Sequence, residues 1–238
     1  MSRSRRCTRV WTCARTSEAD MTLLPPMLPP KQLRVVKAIA WVVALVPFLR
    51  IVFLGATDQF GPNPLEFVTR STGTWTLVLL CCTLAITPLR RITGMNWLIR
   101  LRRMLGLYTF FYGSIHFLIW LLVDRGLDPA SMLKDIVKRP FITVGFAAFV
   151  LMIPLAATST NAMVRRLGGK RWQWLHRLVY VTGVLGILHY WWHKAGKHDF
   201  AEVSIYAAVM AVLLGLRVWW AWRSPRSAMA GGAMPARD

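Results

Sequence analysis

Six separate runs of this chain are each long and apolar enough to cross a bilayer as a helix, and this constrains the fold more than any other feature. A hydrocarbon core needs about 20 apolar helical residues, with roughly 17–25 tolerated. The runs are Val35–Leu54, Gly73–Leu89, Met104–Val123, Phe141–Ala157, Trp172–Trp192 and Phe200–Trp222. Backbone polar groups in lipid must be satisfied within their own segment. The expected class is therefore an all-α integral membrane protein, a six-transmembrane-helix bundle filling residues 34–223. Composition agrees, with 55% hydrophobic and only 17% charged residues, an apolar excess over soluble domains. The first run is the least uniform, because it holds Pro47 and Arg50. The arginine is expected to snorkel to the interface or to face the bundle.

The net charge of +20 would suggest nucleic acid in a soluble chain. Here the bases lie between apolar runs and not on one soluble face, which argues against nucleic acid and leaves membrane lipid as the surroundings. Arg3, Arg5, Arg6, Arg9, Arg15, Lys31, Arg34 and Lys37 precede or open the first run. The next connection, Gly55–Thr72, has Arg70 against Asp58 and Glu66; the one after it carries Arg90, Arg91, Arg100, Arg102 and Arg103. Asp124–Pro140 mixes both signs, and Asn161–Arg171 is basic again. This alternation predicts an N-in/C-in topology, with the third and fifth spans parallel and running outward from the cytosol. Residues 1–33 are expected to be a basic, disordered cytosolic tail, with Met21 and Met27 as alternative starts, and residues 224–238 a second cytosolic tail. The proline-rich LLPPMLPPKQ is expected to stay out of a helix interior. Cys7, Cys13, Cys81 and Cys82 form no CxxC pair and suggest neither a disulfide framework nor a zinc site.

Ionisable residues inside spans are costly and suggest function. His116 lies in the third span, His176 and His189 in the fifth, and His193 and His198 at or beyond the end of the fifth. At about 1.5 Å per residue, His116 sits about 20 Å outward from the start of its span, and His189 about 20 Å outward from His176. The expectation is that His116 and His189 share one depth near the outer face, with His176 near the inner face, level with Arg102 or Arg103. Two imidazoles facing each other at one depth suit an axially bis-ligated haem; apolar aromatic walls suit its macrocycle, and arginines suit its propionates. Against this, residues 176 and 189 lie about 140° apart around an ideal helix; Gly183 and Gly186 between them offer distortion or close packing. The i,i+4 pair His189 and His193 offers a zinc or iron alternative, with only Asp199 nearby as a further ligand. There is no Walker loop, GxGxxG or GxSxG, so no nucleotide-binding domain is visible. RRLGGKR is expected to be a turn between the fourth and fifth spans.

The strings STGTWTLVLLCCTLAITPLRR, RRMLGLYTFFYGSIHFLIWLLVD, PLAATSTNAMVRRLGGKRWQWLHRLVYV and LGILHYWW, in this order, resemble the MsrQ (YedZ) family. These are haem-binding membrane subunits of the periplasmic protein-methionine-sulfoxide reductase system, within the wider ferric-reductase-like transmembrane group. The resemblance covers roughly Val35 to Trp222. It implies an inner-membrane cytochrome b with one or two haem b groups, FMN as a further cofactor, and a periplasmic MsrP-like molybdoprotein as electron acceptor. The implied electron donor is the quinone pool or a cytosolic flavin reductase. By motif, the family's histidines carry over to His116, His176 and His189. The wider group often has two bis-histidine haems, but the position fourteen residues before His116 holds Arg102. Arginine is a poor ligand because it stays protonated, so Arg102 is expected to pair with a propionate. The leading expectation is an electron-transfer subunit without a complete catalytic site of its own. Competing readings are a stand-alone ferric or quinone reductase of the same fold, and a membrane transporter or scaffold with structural histidines.

Overall fold

The computed structural model describes residues 27–196 and 199–223. Within them the regular structure is wholly helical: α1 (Pro30–Ala56), α2 (Pro64–Thr93), α3 (Arg102–Ile119), α4 (Pro129–Lys138), α5 (Pro140–Ala157), α6 (Asn161–Leu167), α7 (Gly169–Leu175), α8 (Leu178–Ala195) and α9 (Ala201–Arg223). The expected C-terminal tail, most of the N-terminal one, Cys7, Cys13 and His198 lie outside the described residues.

Prolines mark several helix starts. A proline at the first helical position gives up no backbone bond and arrives with helical φ. Pro30, Pro64, Pro129 and Pro140 do this for α1, α2, α4 and α5. That is why α1 begins four residues ahead of the domain start expected at residue 34. The Asn63 side chain caps α2 by accepting from the Glu66 N–H (3.2 Å), and Gly94 ends it in the left-handed region at φ 72°. The basic RRLGGKR string is expected as a turn but is helical on both sides of Gly168, which at φ 76° turns the chain between α6 and α7.

Among the described residues, five helical segments are long and apolar enough to cross a membrane: α1, α2, α3 with the π turn Trp120–Asp124 that extends it, α5 and α9. The expected fifth span departs from the sequence reading. It is not one helix over Trp172–Trp192 but α7 and α8, broken at His176–Arg177. The Arg177 N–H bonds to the Trp174 carbonyl (3.1 Å) and the Tyr180 N–H to the Arg177 carbonyl (3.0 Å), a tighter i→i+3 pattern that interrupts the α-helix. The remaining α8 is 18 residues long, and His189, His193 and Lys194 dilute its apolar character.

Four helices close into a ring: α2 packs on α3, α3 on α5, α5 on α8, and α8 back on α2. α1 covers α2 and α3 from outside, and α9 covers α2 and α8. α2 is the most enclosed span, with half of its apolar window buried. Leu77, Leu80, Cys81 and Leu84 of α2 pack with Met210 and Leu213 of α9. Leu79 of α2 packs with Ala44 of α1 and with Tyr108 and Tyr112 of α3. Gly183 serves this packing, since a Cβ there would meet Met210 at 3.1 Å. Outward-facing Val35, Ile39, Val43, Val209 and Val212 are exposed, as a lipid-facing surface requires.

Candidate functional site

α3 and α8 occupy opposite corners of the ring, and each turns a histidine toward the other. The rings of His116 and His189 lie with centroids 6.1 Å apart and planes 80° apart. His116 Nδ1 is 3.0 Å from the Thr69 carbonyl oxygen of α2, and His189 Nδ1 is 2.7 Å from the Phe141 carbonyl oxygen of α5. A carbonyl only accepts, so each Nδ1 carries the proton and each Nε2 keeps its lone pair. Two such nitrogens can bind one iron from both sides. Metal–nitrogen bonds of about 2 Å on each side bring two imidazole centroids to about 6 Å, the spacing seen here. The donor set and its spacing therefore fit a bis-imidazole iron.

At the other end, Arg102, Arg103, Phe110, Trp172, His176 and Tyr180 help line a cavity of about 490 Å³. Because Arg102 borders His176 at this end while His116 meets His189 at the other, α3 and α8 run parallel. His176 sits in the break between α7 and α8, so the 140° angle derived for one continuous helix does not apply to it. Trp172 stacks on its ring, with centroids 3.9 Å apart. His176 Nε2 is 3.1 Å from the Thr158 hydroxyl, which itself donates to the Pro154 carbonyl (2.6 Å). The hydroxyl's proton is thus committed, and it accepts from His176 Nε2–H. The Trp172 indole N–H donates to the Thr158 carbonyl (2.8 Å). His176 therefore has an occupied Nε2, unlike the other two rings.

Among the described residues, the His189–His193 zinc alternative gains no ligands. His193 packs its ring toward Phe141, at 5.7 Å, and Asp199 is taken up by Lys194 at 2.5 Å. No group of three or more His, Cys, Asp or Glu suited to a metal ion occurs among the described residues.

Residues 72–187 match the family described as ferric reductase like transmembrane component. That segment includes His116 and His176 and stops two residues before His189. A protein of Ralstonia nicotianae described as the protein-methionine-sulfoxide reductase heme-binding subunit MsrQ is 86% identical over 217 residues, covering 91% of this chain and 100% of the relative. The chain belongs to the MsrQ family. MsrQ proteins of Herminiimonas arsenicoxydans (63% identical, 85% of this chain, 94% of the relative) and Bordetella pertussis (63%, 78% and 90%) agree. The match to the ferric reductase like transmembrane component and the span-length helices make this MsrQ family member a multi-pass membrane protein.

Sequence reasoning missed the partners that hold the histidines of this MsrQ chain. Thr158 lies in PLAATSTNAMVRRLGGKRWQWLHRLVYV, which served only to mark the family, and Trp172 marked only the start of an apolar run. Thr69 and Phe141 act through backbone carbonyls, which no side-chain pattern announces. A second feature with no local signature is the polar knot beside His189: buried Lys194 against Asp199 and Glu202, with the Tyr190 hydroxyl donating to Glu202 (2.6 Å).

Proposed function

We propose that this chain is a b-type cytochrome subunit carrying electrons across the bacterial inner membrane to a periplasmic molybdopterin protein-methionine-sulfoxide reductase, in support of repair of oxidised periplasmic proteins. The quinone pool or a cytosolic flavin reductase supplies the electrons. The observation that carries this reading is the His116–His189 pair, with centroids 6.1 Å apart and both Nδ1 atoms tied to carbonyls. The proposed topology has six spans, with α8 as the fifth, and both tails cytosolic. Residues 34–223 form the haem-binding membrane domain, and the MsrP-like acceptor docks at the His116 end.

Haem supplies one-electron chemistry without proton bookkeeping at the protein. The chain's own residues do the rest. His116 and His189 would hold one haem b through their Nε2 atoms, and it would supply one-electron transfer there. A second haem b is proposed at the cavity near Arg102, with His176 as its protein ligand and Arg102 facing a propionate. His176 would serve there through Nδ1, or through Nε2 on releasing Thr158. Family resemblance alone supports FMN as a further cofactor, and no residues are assigned to it.

The test is absorption and paramagnetic-resonance spectroscopy of the purified full chain and its histidine variants, made in haem-replete cells. His116→Ala and His189→Ala should each abolish the same low-spin signal, because each leaves the iron one ligand short. His176→Ala should leave that signal largely intact and stop electron entry from the cytosolic side. Loss of one common signal in His176→Ala and His189→Ala, with His116→Ala unaffected, would overturn the assignment.

A further inference from the structure

The ring of four helices uses one device twice. The Thr69 carbonyl that receives His116 stands 47 residues before it, and the Phe141 carbonyl that receives His189 stands 48 before it. Four residues beyond each carbonyl comes a glycine: Gly73 in TRSTG and Gly145 in FITVG. A Cβ on Gly73 would lie 3.1 Å from Cε1 and 3.2 Å from Nδ1 of His116; a Cβ on Gly145 would lie 2.6 Å from Nδ1 and 2.8 Å from Cε1 of His189. Helix geometry explains the repeat. The side chain at i+4 leans back toward the helix N-terminus and stands over the carbonyl of residue i. An imidazole approaching that carbonyl from the side must pass through the space of that Cβ. Glycine leaves the space empty.

Other glycines of the bundle do different work. Gly186 lies one turn before His189 on α8, yet a Cβ there meets nothing nearer than Leu77 at 4.0 Å. Gly113 lies one turn before His116 on α3, and its Cβ would strike the Met152 methyl at 2.8 Å, a packing contact with no histidine in it. The pairing of carbonyl i with glycine i+4 is thus specific to the two rings. It occurs on the two ring helices, α2 and α5, that carry neither histidine.

We propose that Gly73 and Gly145 are positioning residues for the two axial histidines. Each opens a notch in its helix, through which the imidazole Nδ1–H reaches a backbone carbonyl and its Nε2 is turned to the ring interior. The inference rests on the assignment of His116 and His189 as ligands of one haem. The notch does more than make room. A ligand whose second N–H is held by an acceptor is a stronger donor to the metal. Stronger donation favours the ferric state, so loss of the hydrogen bond raises the midpoint potential.

The experiment compares purified full-length wild type, Gly73→Ala and Gly145→Ala with the controls Gly113→Ala and Gly186→Ala, all from haem-replete cells. The readouts are haem per protein, the low-spin ferric signal and its midpoint potential. Gly145→Ala, with the closer contact, should lose most of the low-spin signal. Gly73→Ala should keep haem with a shifted signal and a raised potential. Gly186→Ala should match wild type, and Gly113→Ala should alter stability but not the signal. Wild-type signal and potential in both notch variants would overturn the proposal, as would equal changes in the two controls. A wild-type protein with no low-spin signal dependent on His116 and His189 would instead overturn the ligand assignment. Should the variants fail to accumulate, the wild type decides alone. Pulsed resonance in deuterated buffer should find an exchangeable, hydrogen-bonded Nδ1 proton on both ligands, and its absence from either would sink the notch.

Discussion

Three prolines sit inside membrane helices, Pro47, Pro88 and Pro154, and at the first two a side chain from another helix answers the disturbed backbone ladder. Beside Pro47 in α1, the Tyr112 hydroxyl accepts from the Phe48 N–H (3.0 Å) and donates to the Ala44 carbonyl (2.8 Å), bridging one rung of the helix. Pro88 in α2 has no N–H to offer the Leu84 carbonyl, and Arg217 of α9 donates to it at 2.5 Å. Tyr112 is fully buried. Tyr112→Phe should therefore destabilise the detergent-solubilised protein by about 1–2 kcal/mol, read as a fall of a few degrees in Tm. Arg217→Met should act in the same direction by stranding the Leu84 carbonyl. A variant melting at or above the wild-type temperature would refute either account. The prolines were plain in the sequence, but their partners were not. Phe48 and Tyr112 are 64 residues apart, and Leu84 and Arg217 are 133 apart. Hydropathy placed Arg217 in an apolar run with nothing to show that it feeds a carbonyl.

Among the elements, α8 shows how far periodicity carries. The apolar run from Trp172 to Trp192 gave no sign of a break, because its cause is tertiary: Thr158 at the end of α5 holds both Trp172 and His176. The far end of α8 is latched by Lys194, 3% exposed, against Asp199 and Glu202 at the start of α9. The hydrogen bond from Lys194, and then its charge, hold the Asp199 carboxyl below its ordinary value. A carboxylate lowered in this way contributes stability that is full above its unfolded value of about 4 and is lost as pH falls through the lower folded one. The α8–α9 connection should thus keep its protection from proteolysis throughout the neutral range and loosen only in strong acid. Asp199→Asn should loosen it already at pH 7. If wild type and variant were cut at equal rates at pH 7, the latch would have no role.

At the scale of the molecule, helix existence and order were legible, because a bilayer imposes a length and a hydropathy that sequence displays directly. Helical rise set His116 and His189 level with each other, and their rings lie 6.1 Å apart. The ring of four and its diagonal were not legible, since which apolar faces meet is decided by shape. The proposed orientation is testable in a cysteine-free background, with single cysteines placed at Ser131 in α4 and at Arg166 between α5 and α7. Impermeant thiol reagent added to intact spheroplasts should label Ser131→Cys and spare Arg166→Cys; the reverse would invert the topology. The diagonal has a further consequence for biosynthesis. α2 pairs with α3 and α5 with α8, so the ribosome completes one hairpin well before the second emerges. On the proposed assignment, one iron clasps a histidine from each. A cell short of haem would then make both hairpins and leave them unclasped, open to membrane proteases that survey loose helices. The amount of this protein in the membrane should follow the supply of haem at constant transcript level, so that the cofactor acts as the last step of quality control.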